Sequence, residues 1–344
     1  MRTILACTLT MLLFGTCKQA YEPPAKTKNI RLLVVEGFIN SGQGATTIHL
    51  SRTGDLQDQG IRPEYGAQVT VEGDDGSAFV LADSLNGKYS LPQLSINSNV
   101  KYRVHIITAD GREYASDYTP VRYTPPVDTI TWQREDNGLR LYVNTHDAQH
   151  VTKYFQWKYE ETWEIHAAYY TSLRYLRDAT NRVTALLYRR GDHRVDTTLY
   201  RCWRTLNSTS IMVGSTEKLA TDVIYLPVQY IEPKSQKLSV LYSLYIKQYA
   251  LSKDAYLFMQ KMKKNTEQVG SLFDAQPSEI SGNVKCLTDP NELVVGFVET
   301  TEEQTKRIFI YNNQVPDWGY SRDCVLFLLP NNLDTIANRG ADLF

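Results

Sequence analysis

The clearest chemical opportunity in this chain is Cys17, which ends the apolar stretch "MLLFGTC" and precedes the polar run "KQAYEPP". Arg2 supplies a positive start, and Ile4 to Phe14 is apolar apart from two threonines and Cys7. That length suits the core of a signal peptide and is too short to span a bilayer. Gly15 and Thr16 lead into Cys17 as a lipobox does, the signal at which a cysteine is diacylated and becomes the mature N-terminus. Phe14 and Thr16 depart from the usual lipobox residues, so ordinary signal-peptidase cleavage is the competing reading. No good small-x-small site follows to support it. Residues 1–16 are expected to be a signal peptide. Residues 17–29 are expected to be a lipidated tether, extended by Pro23 and Pro24.

With Cys7 removed and Cys17 acylated, Cys202, Cys286 and Cys324 remain. An odd number in an exported protein points to one disulfide and one free thiol. Cys286 with Cys324 is the preferred pair, because both fall near expected strand ends late in the chain. None of the spacings suits zinc.

His146 and His150 bracket the sequence "HDAQH". Two histidines four apart can share a metal on a helix. Here they follow an expected strand and sit in a turn, where the spacing no longer puts both rings on one face, so a solvated loop is expected. His105 alternates onto the polar side of its strand, and His193 sits in a hairpin. The sequence holds no nucleophile elbow, glycine-rich phosphate loop or paired-carboxylate signature. The chain therefore reads as non-enzymatic, with no cofactor and no metal.

The segment after "YFQWKYEETWEIH" is different in kind. Tyr169, Tyr170 and Tyr175 are interspersed with Arg174, Arg177, Arg182, Arg189, Arg190 and Arg194. "LLYRRGDHRV" reads as a hairpin whose tip, Arg189 to Arg194, carries charge. Arginine with tyrosine is the composition of a protein contact surface, and a solvated hairpin is the alternative. The candidate partner-binding residues are Tyr169, Tyr170, Arg189, Arg190 and Arg194. The Arg-Gly-Asp triplet at Arg190–Asp192 is short enough to occur by chance.

These residues need a frame, and the composition says which. The 23 tyrosines favour strands, and a net charge of −1 gives no basic field for nucleic acid. From residue 30 to 124, short strands separated by Asp74-Asp75-Gly76, Asn86-Gly87 and Asp110-Gly111 predict an immunoglobulin-like or transthyretin-like β-sandwich. Thr124-Pro125-Pro126 marks a boundary. Residues 125–344 are expected to form a second β-rich domain with one prominent α-helix over 252–273, capped by Ser252 and buried through Ala255, Phe258, Met262 and Val269. In its clearest strand, Phe155, Trp157, Tyr159, Trp163 and Ile165 share one face, with Glu161 as the polar interruption. That face is expected to be core, the alternative being an aromatic platform for sugars or peptides.

Three blocks carry a resemblance: "LLVVEGFIN" with "IHLSRT", the long phrase "LSVLYSLYIKQYALSKDAYLFMQKMKKNTEQVGSLFDAQPSEISGNV", and "VVGFVETTEEQTKRIFI". Through them the chain resembles a family of Bacteroidota outer-membrane lipoproteins known as domain of unknown function 4249. The resemblance implies a surface lipoprotein encoded beside a TonB-dependent outer-membrane receptor, and so an accessory subunit of a nutrient import system. A free-standing adhesin or a glycan- or peptide-binding module is the alternative. The only membrane contact expected is the N-terminal lipid.

Cys17→Ala should leave the protein unprocessed or released from membranes. The check is fractionation with mass spectrometry of the N-terminal peptide. Unchanged retention with no lipid on the wild-type peptide would contradict the lipobox reading.

Overall fold

The computed structural model describes residues 31–54, 60–166, 173–189, 200–267 and 282–319. The protein is mainly β with one prominent helix. The first nine strands are β1 (Leu33–Asn40), β2 (Thr46–Arg52), β3 (Arg62–Pro63), β4 (Gln68–Gly73), β5 (Ala78–Asp83), β6 (Lys88–Leu91), β7 (Lys101–Ile107), β8 (Glu113–Ser116) and β9 (Thr119–Arg122). Alternation decides their faces: Tyr102, Val104 and Ile106 of β7 are buried, as are Val69 and Val71 of β4. The turns work as their residues demand. Asn86 and Gly87 have positive φ, and a Cβ on Gly87 would lie 2.3 Å from the Leu50 carbonyl oxygen.

The next nine strands are β10 (Val127–Glu135), β11 (Gly138–His146), β12 (Tyr154–His166), β13 (Leu173–Arg177), β14 (Val183–Tyr188), β15 (Arg201–Asn207), β16 (Met212–Ser215), β17 (Val223–Ile231) and β18 (Leu241–Ala250). Helix α1 (Lys253–Glu267) and strands β19 (Val284–Cys286), β20 (Val294–Gly296), β21 (Thr300–Thr301) and β22 (Gln304–Tyr311) complete the chain. A three-stranded sheet, β10-β11-β17, packs against a sheet ordered β15-β12-β18-β22, to which β16 adds beside β12. Phe155, Trp157, Trp163 and Ile165 lie in the core between them. The aromatic face of β12 is therefore core, which leaves no sugar platform there. Glu161 is tolerated inside because Lys237 Nζ (2.6 Å), Tyr242 Oη (3.0 Å) and Gln229 Nε2 (3.0 Å) all donate to it. Burial beside that carboxylate pushes the Tyr159 phenol up to about 12.

Residues after 124 were expected to stay in the second unit, and 284–301 do not. β19 pairs with β8, β20 with β1, and β21 runs parallel to both β1 and β9. With β7 also pairing β9, the path β7-β4-β5-β6-β2-β1-β21-β9 returns to β7 and closes a barrel-like sheet. Val284, Cys286, Val294 and Val298 join the core of that first unit. A sequence boundary set by prolines cannot show a later return, because pairing across this distance leaves no local signature.

The return has its own chemistry. Between β20 and β21 the Val298 backbone is held by a side chain rather than by a strand. Asn283 Nδ2 donates to the Val298 carbonyl and Asn283 Oδ1 accepts its N–H, both at 2.8 Å. A Cβ on Gly282 would lie 1.6 Å from the Gly296 carbonyl oxygen, so the backbones touch only because Gly282 is bare. Thr300 and Thr301 then bond Thr119 (2.9 Å) and Thr124 (3.0 Å) through buried hydroxyls.

Helix α1 starts where expected. Ser252 Oγ accepts the Ala255 N–H at 3.0 Å, and Ala255 and Phe258 are buried. The expected helix end, with Val269, lies outside the described residues. Phe38 of β1 stacks on Tyr249 of β18 at 4.3 Å, beside Leu251 and Ala255. This junction of the two units borders a cavity of about 230 Å³ lined in part by Phe258, Met262 and Phe297.

One carboxylate ties the pieces together. The Glu299 side chain is 2% exposed, accepts from Arg122 Nε of β9 at 2.6 Å, and also accepts from Ser252 Oγ at the helix cap. Removing one partner of a buried pair costs about 3–5 kcal/mol, less where the other partner reaches water as Arg122 does. Glu299→Ala should therefore destabilise the protein by roughly 2–4 kcal/mol. Lys285→Ala, which breaks an exposed pair with Asp117, should cost less than about 1 kcal/mol. Urea unfolding of the two variants is the check, and equal midpoints would contradict the assigned role.

Candidate functional site: an arginine-rich ribbon and an open sheet edge

β12 leaves the second unit at His166 and β15 re-enters opposite it at Arg201, in continuous antiparallel register from Glu160↔Asn207. The base is clamped by Glu164, which is 2.7 Å from His166 Nε2 and 3.7 Å from Arg201 Nε, while the His166 and Tyr200 rings meet at 4.6 Å. Between these strands the chain makes a separate two-stranded ribbon, β13 with β14, registered Leu173↔Tyr188 to Leu176↔Ala185.

The ribbon turns at Asp178–Arg182. Asp178 Oδ1 accepts from the Thr180 hydroxyl (2.7 Å), the Thr180 N–H (2.8 Å) and the Arg182 N–H (3.0 Å), and Asn181 takes positive φ. Those bonds, the Thr180 hydroxyl foremost, hold the Asp178 carboxyl below the usual carboxylate range. The tip of this ribbon is thus Asp178 to Arg182, and Arg189 follows directly on the end of β14. The signal that marks the turn is Asp-x-Thr-Asn, which the run of arginines overshadowed. Tyr169, Tyr170, Arg190 and Arg194 lie outside the described residues, as do His193 and Cys17.

The ribbon pairs with no other sheet among the described residues. Leu176, Val183, Leu186, Leu187 and Tyr188 are all exposed, Leu186 by 52%. Solvated hairpins seldom carry so many large apolar side chains together.

β15 extends this surface as an edge strand, and hydrogen-bond parity says which groups are open. The Ser208 N–H donates to the Tyr159 carbonyl at 2.8 Å. Alternation along the same register turns the backbone groups of Cys202, Arg204 and Leu206 toward β12. Those of Arg201, Trp203, Thr205 and Asn207 face outward, where no described strand pairs with them. Nearly every β15 side chain is exposed, Trp203 by 57%.

The ribbon and edge together, 173–189 and 200–207, hold six arginines, one aspartate and no lysine or glutamate. Five excess positive charges thus sit on one excursion of a chain whose net charge is −1.

The other candidates resolve into structure. Asp147 accepts the N–H groups of Gln149, Val151 and Thr152 at 2.6–2.9 Å and so folds the "HDAQH" loop. His146 Nδ1 is 2.7 Å from Asp128, whose carboxylate raises the imidazole's proton affinity. His150 pairs with Asp222, and Lys153 Nζ reaches the same carboxylate at 2.6 Å. The two histidines thus take different partners, and no cluster of metal-ligating residues occurs among the described residues. His105 pairs with Glu72 at 3.1 Å. Cys202 and Cys286 are free thiols here, Cys286 buried and accepting the Asp289 N–H at 3.3 Å, and burial pushes the Cys202 thiol up. Cys324 lies outside the described residues.

Solved structures offer distant likenesses. The Escherichia coli α2-macroglobulin is 11% identical over 66% of this chain and 15% of its own, with a TM-score of 0.20. A Bacteroides uniformis protein described as a candidate carbohydrate binder is 10% identical over 64% of this chain and 90% of its own, TM-score 0.16. The Yersinia pseudotuberculosis adhesin InvE is 11% identical over 65% and 57%, TM-score 0.16. This chain thus spans only a small part of the macroglobulin's length, and at these scores none of the three fixes a fold. No curated protein matches the sequence. A family model, Domain of unknown function (DUF4249), matches residues 18–307. The chain belongs to the DUF4249 family.

Proposed function

We propose that the protein is a non-enzymatic lipoprotein of the Bacteroidota outer membrane, anchored through Cys17 and exposed at the cell surface. It docks on a TonB-dependent receptor and helps that receptor capture or admit a nutrient. The observation that carries this reading is the β13–β14 ribbon, which exposes leucines and Tyr188 and pairs with no other described sheet. A lone two-stranded ribbon is marginally stable in water, and solvent-facing apolar groups give it no core. A partner surface would supply what the fold does not. The tyrosine- and arginine-bearing residues Tyr169, Tyr170, Arg189, Arg190 and Arg194 belong to the same excursion and are assigned to that contact.

Two finer assignments accompany this reading. The first unit, with its closed strand path, is assigned to the immunoglobulin-like or transthyretin-like sandwich folds on the alternating burial along β4 and β7. Cys286 and Cys324 form a disulfide on export, which the odd cysteine count supports. Non-reducing peptide mapping of the exported protein checks the pairing, and a crosslink containing Cys202 would contradict it.

The docking test uses two variants. Leu176→Ser/Leu186→Ser alters side chains that are half exposed and should leave the fold intact. Arg189→Ser/Arg190→Ser/Arg194→Ser removes charge. Hot-spot truncations cost about 1–2 kcal/mol or more, so each variant should recover roughly fivefold less receptor in a gentle-detergent pull-down. The wild-type complex should also weaken as salt rises, and the arginine variant should respond less steeply. Full recovery by both folded variants across the salt range would place docking elsewhere.

A further inference from the structure

We infer that the open edge of β15 is a strand-addition site that takes an acidic, extended segment of the partner protein. The inference rests on the docking reading and specifies its chemistry.

The edge is unusually available. Natural sheets blunt edge strands with lysine, proline, bulges or brevity, because unpaired N–H and C=O groups recruit other strands. β15 is seven residues long, contains no proline or lysine, and keeps regular register with β12 throughout. No described strand pairs with its outward groups at Arg201, Trp203, Thr205 and Asn207. Trp203 is largely exposed on one face of the strand and Leu206 partly so on the other. An added strand would place its side chains beside both, which is how strand addition combines backbone affinity with side-chain selectivity.

Charge selects the occupant. A second copy of this chain would bring two excursions together, each with five excess positive charges, and like charges across paired strands are destabilising. A neutral strand would leave that field unbalanced. A segment with glutamate or aspartate at alternate positions would answer the excess positive charge of the excursion while its backbone pairs along β15.

Thr205→Pro is the probing substitution. It deletes one outward N–H and leaves the backbone bonds to β12 in place, since those come from Cys202, Arg204 and Leu206. The exposed bond between the Thr205 and Thr162 hydroxyls (3.0 Å) is also lost, and Thr205→Val, which loses that bond and keeps the N–H, is the control. Proline is tolerated where a strand's N–H faces solvent. The full-length variant should keep the wild-type circular dichroism and recover roughly tenfold less receptor in the pull-down. Amide hydrogen exchange on the wild-type complex gives a readout independent of any variant. On complex formation the amides of Trp203, Thr205 and Asn207 should become protected, and those of Cys202 and Arg204 should change little. Three results overturn the inference. If Thr205→Pro recovers receptor normally while the arginine variant does not, docking stands and strand addition falls. If β15 amides exchange equally fast in the free protein and the complex, it falls as well. If every variant recovers the receptor in full, the docking reading fails and takes the inference with it.

Discussion

The structure depends on the buried carboxylate of Glu299. It sits where three separate parts of the chain meet: Arg122 at the end of the first unit, Ser252 at the cap of α1, and the returning segment that carries Glu299 itself. A buried carboxylate in that position is tolerated only because a guanidinium and a hydroxyl both donate to it. Next along the chain, Thr300 and Thr301 close the barrel-like sheet through hydroxyls shared with Thr119 and Thr124. The same few residues therefore set the sheet closure and fix where the helix begins. The orientation of the second unit follows from that, reinforced by Phe38 against Tyr249. Glu164, His166 and Arg201 hold together the ends of β12 and β15 from which the excursion departs.

Two buried carboxylates show how fully a charged group inside this fold is matched. Glu161 in the core has three donors, and Asp147 in the "HDAQH" loop accepts from three backbone amides. Against that, the ribbon exposes leucine on a marginal two-stranded element, and β15 leaves outward backbone groups unmatched by any described strand. Apolar exposure, an open edge and excess positive charge coincide on one excursion. Recognition at such a place costs the fold little, because most side chains that would be covered are exposed.

Much of this was legible in the residues. Alternation located β7 and β12, Asn86-Gly87 located a hairpin, and Ser252 located the start of α1, because each is a local rule with a local cause. The return of 284–301 was not legible, since the pairing of Thr300 with Val121 depends on partners far away in sequence. No local rule marks Asn283, whose amide stands in for a strand by pairing with Val298. The ribbon's charge was visible, and its turn at Asp178–Arg182 rests on an Asp-x-Thr-Asn signal weaker than the arginine pattern. Of the expected tip at Arg189–Arg194, residues 190–194 lie outside the described residues. The exposed edge of β15 could not be read at all. Hydrogen-bond parity is a property of register, and register appears only when the strands are paired.

The central claim is that the excursion between β12 and β15 faces the partner, and site-specific photo-crosslinking tests it most directly. A benzophenone amino acid replaces Leu186 on the ribbon, or Phe309 on β22, at the edge opposite β15 in the second unit's larger sheet. The two positions are 52% and 51% exposed, so general accessibility does not separate them. Irradiated cells should give a crosslink to an outer-membrane β-barrel protein from position 186 and none from position 309. Equal crosslinking from both, or crosslinking from position 309 alone, would contradict the account.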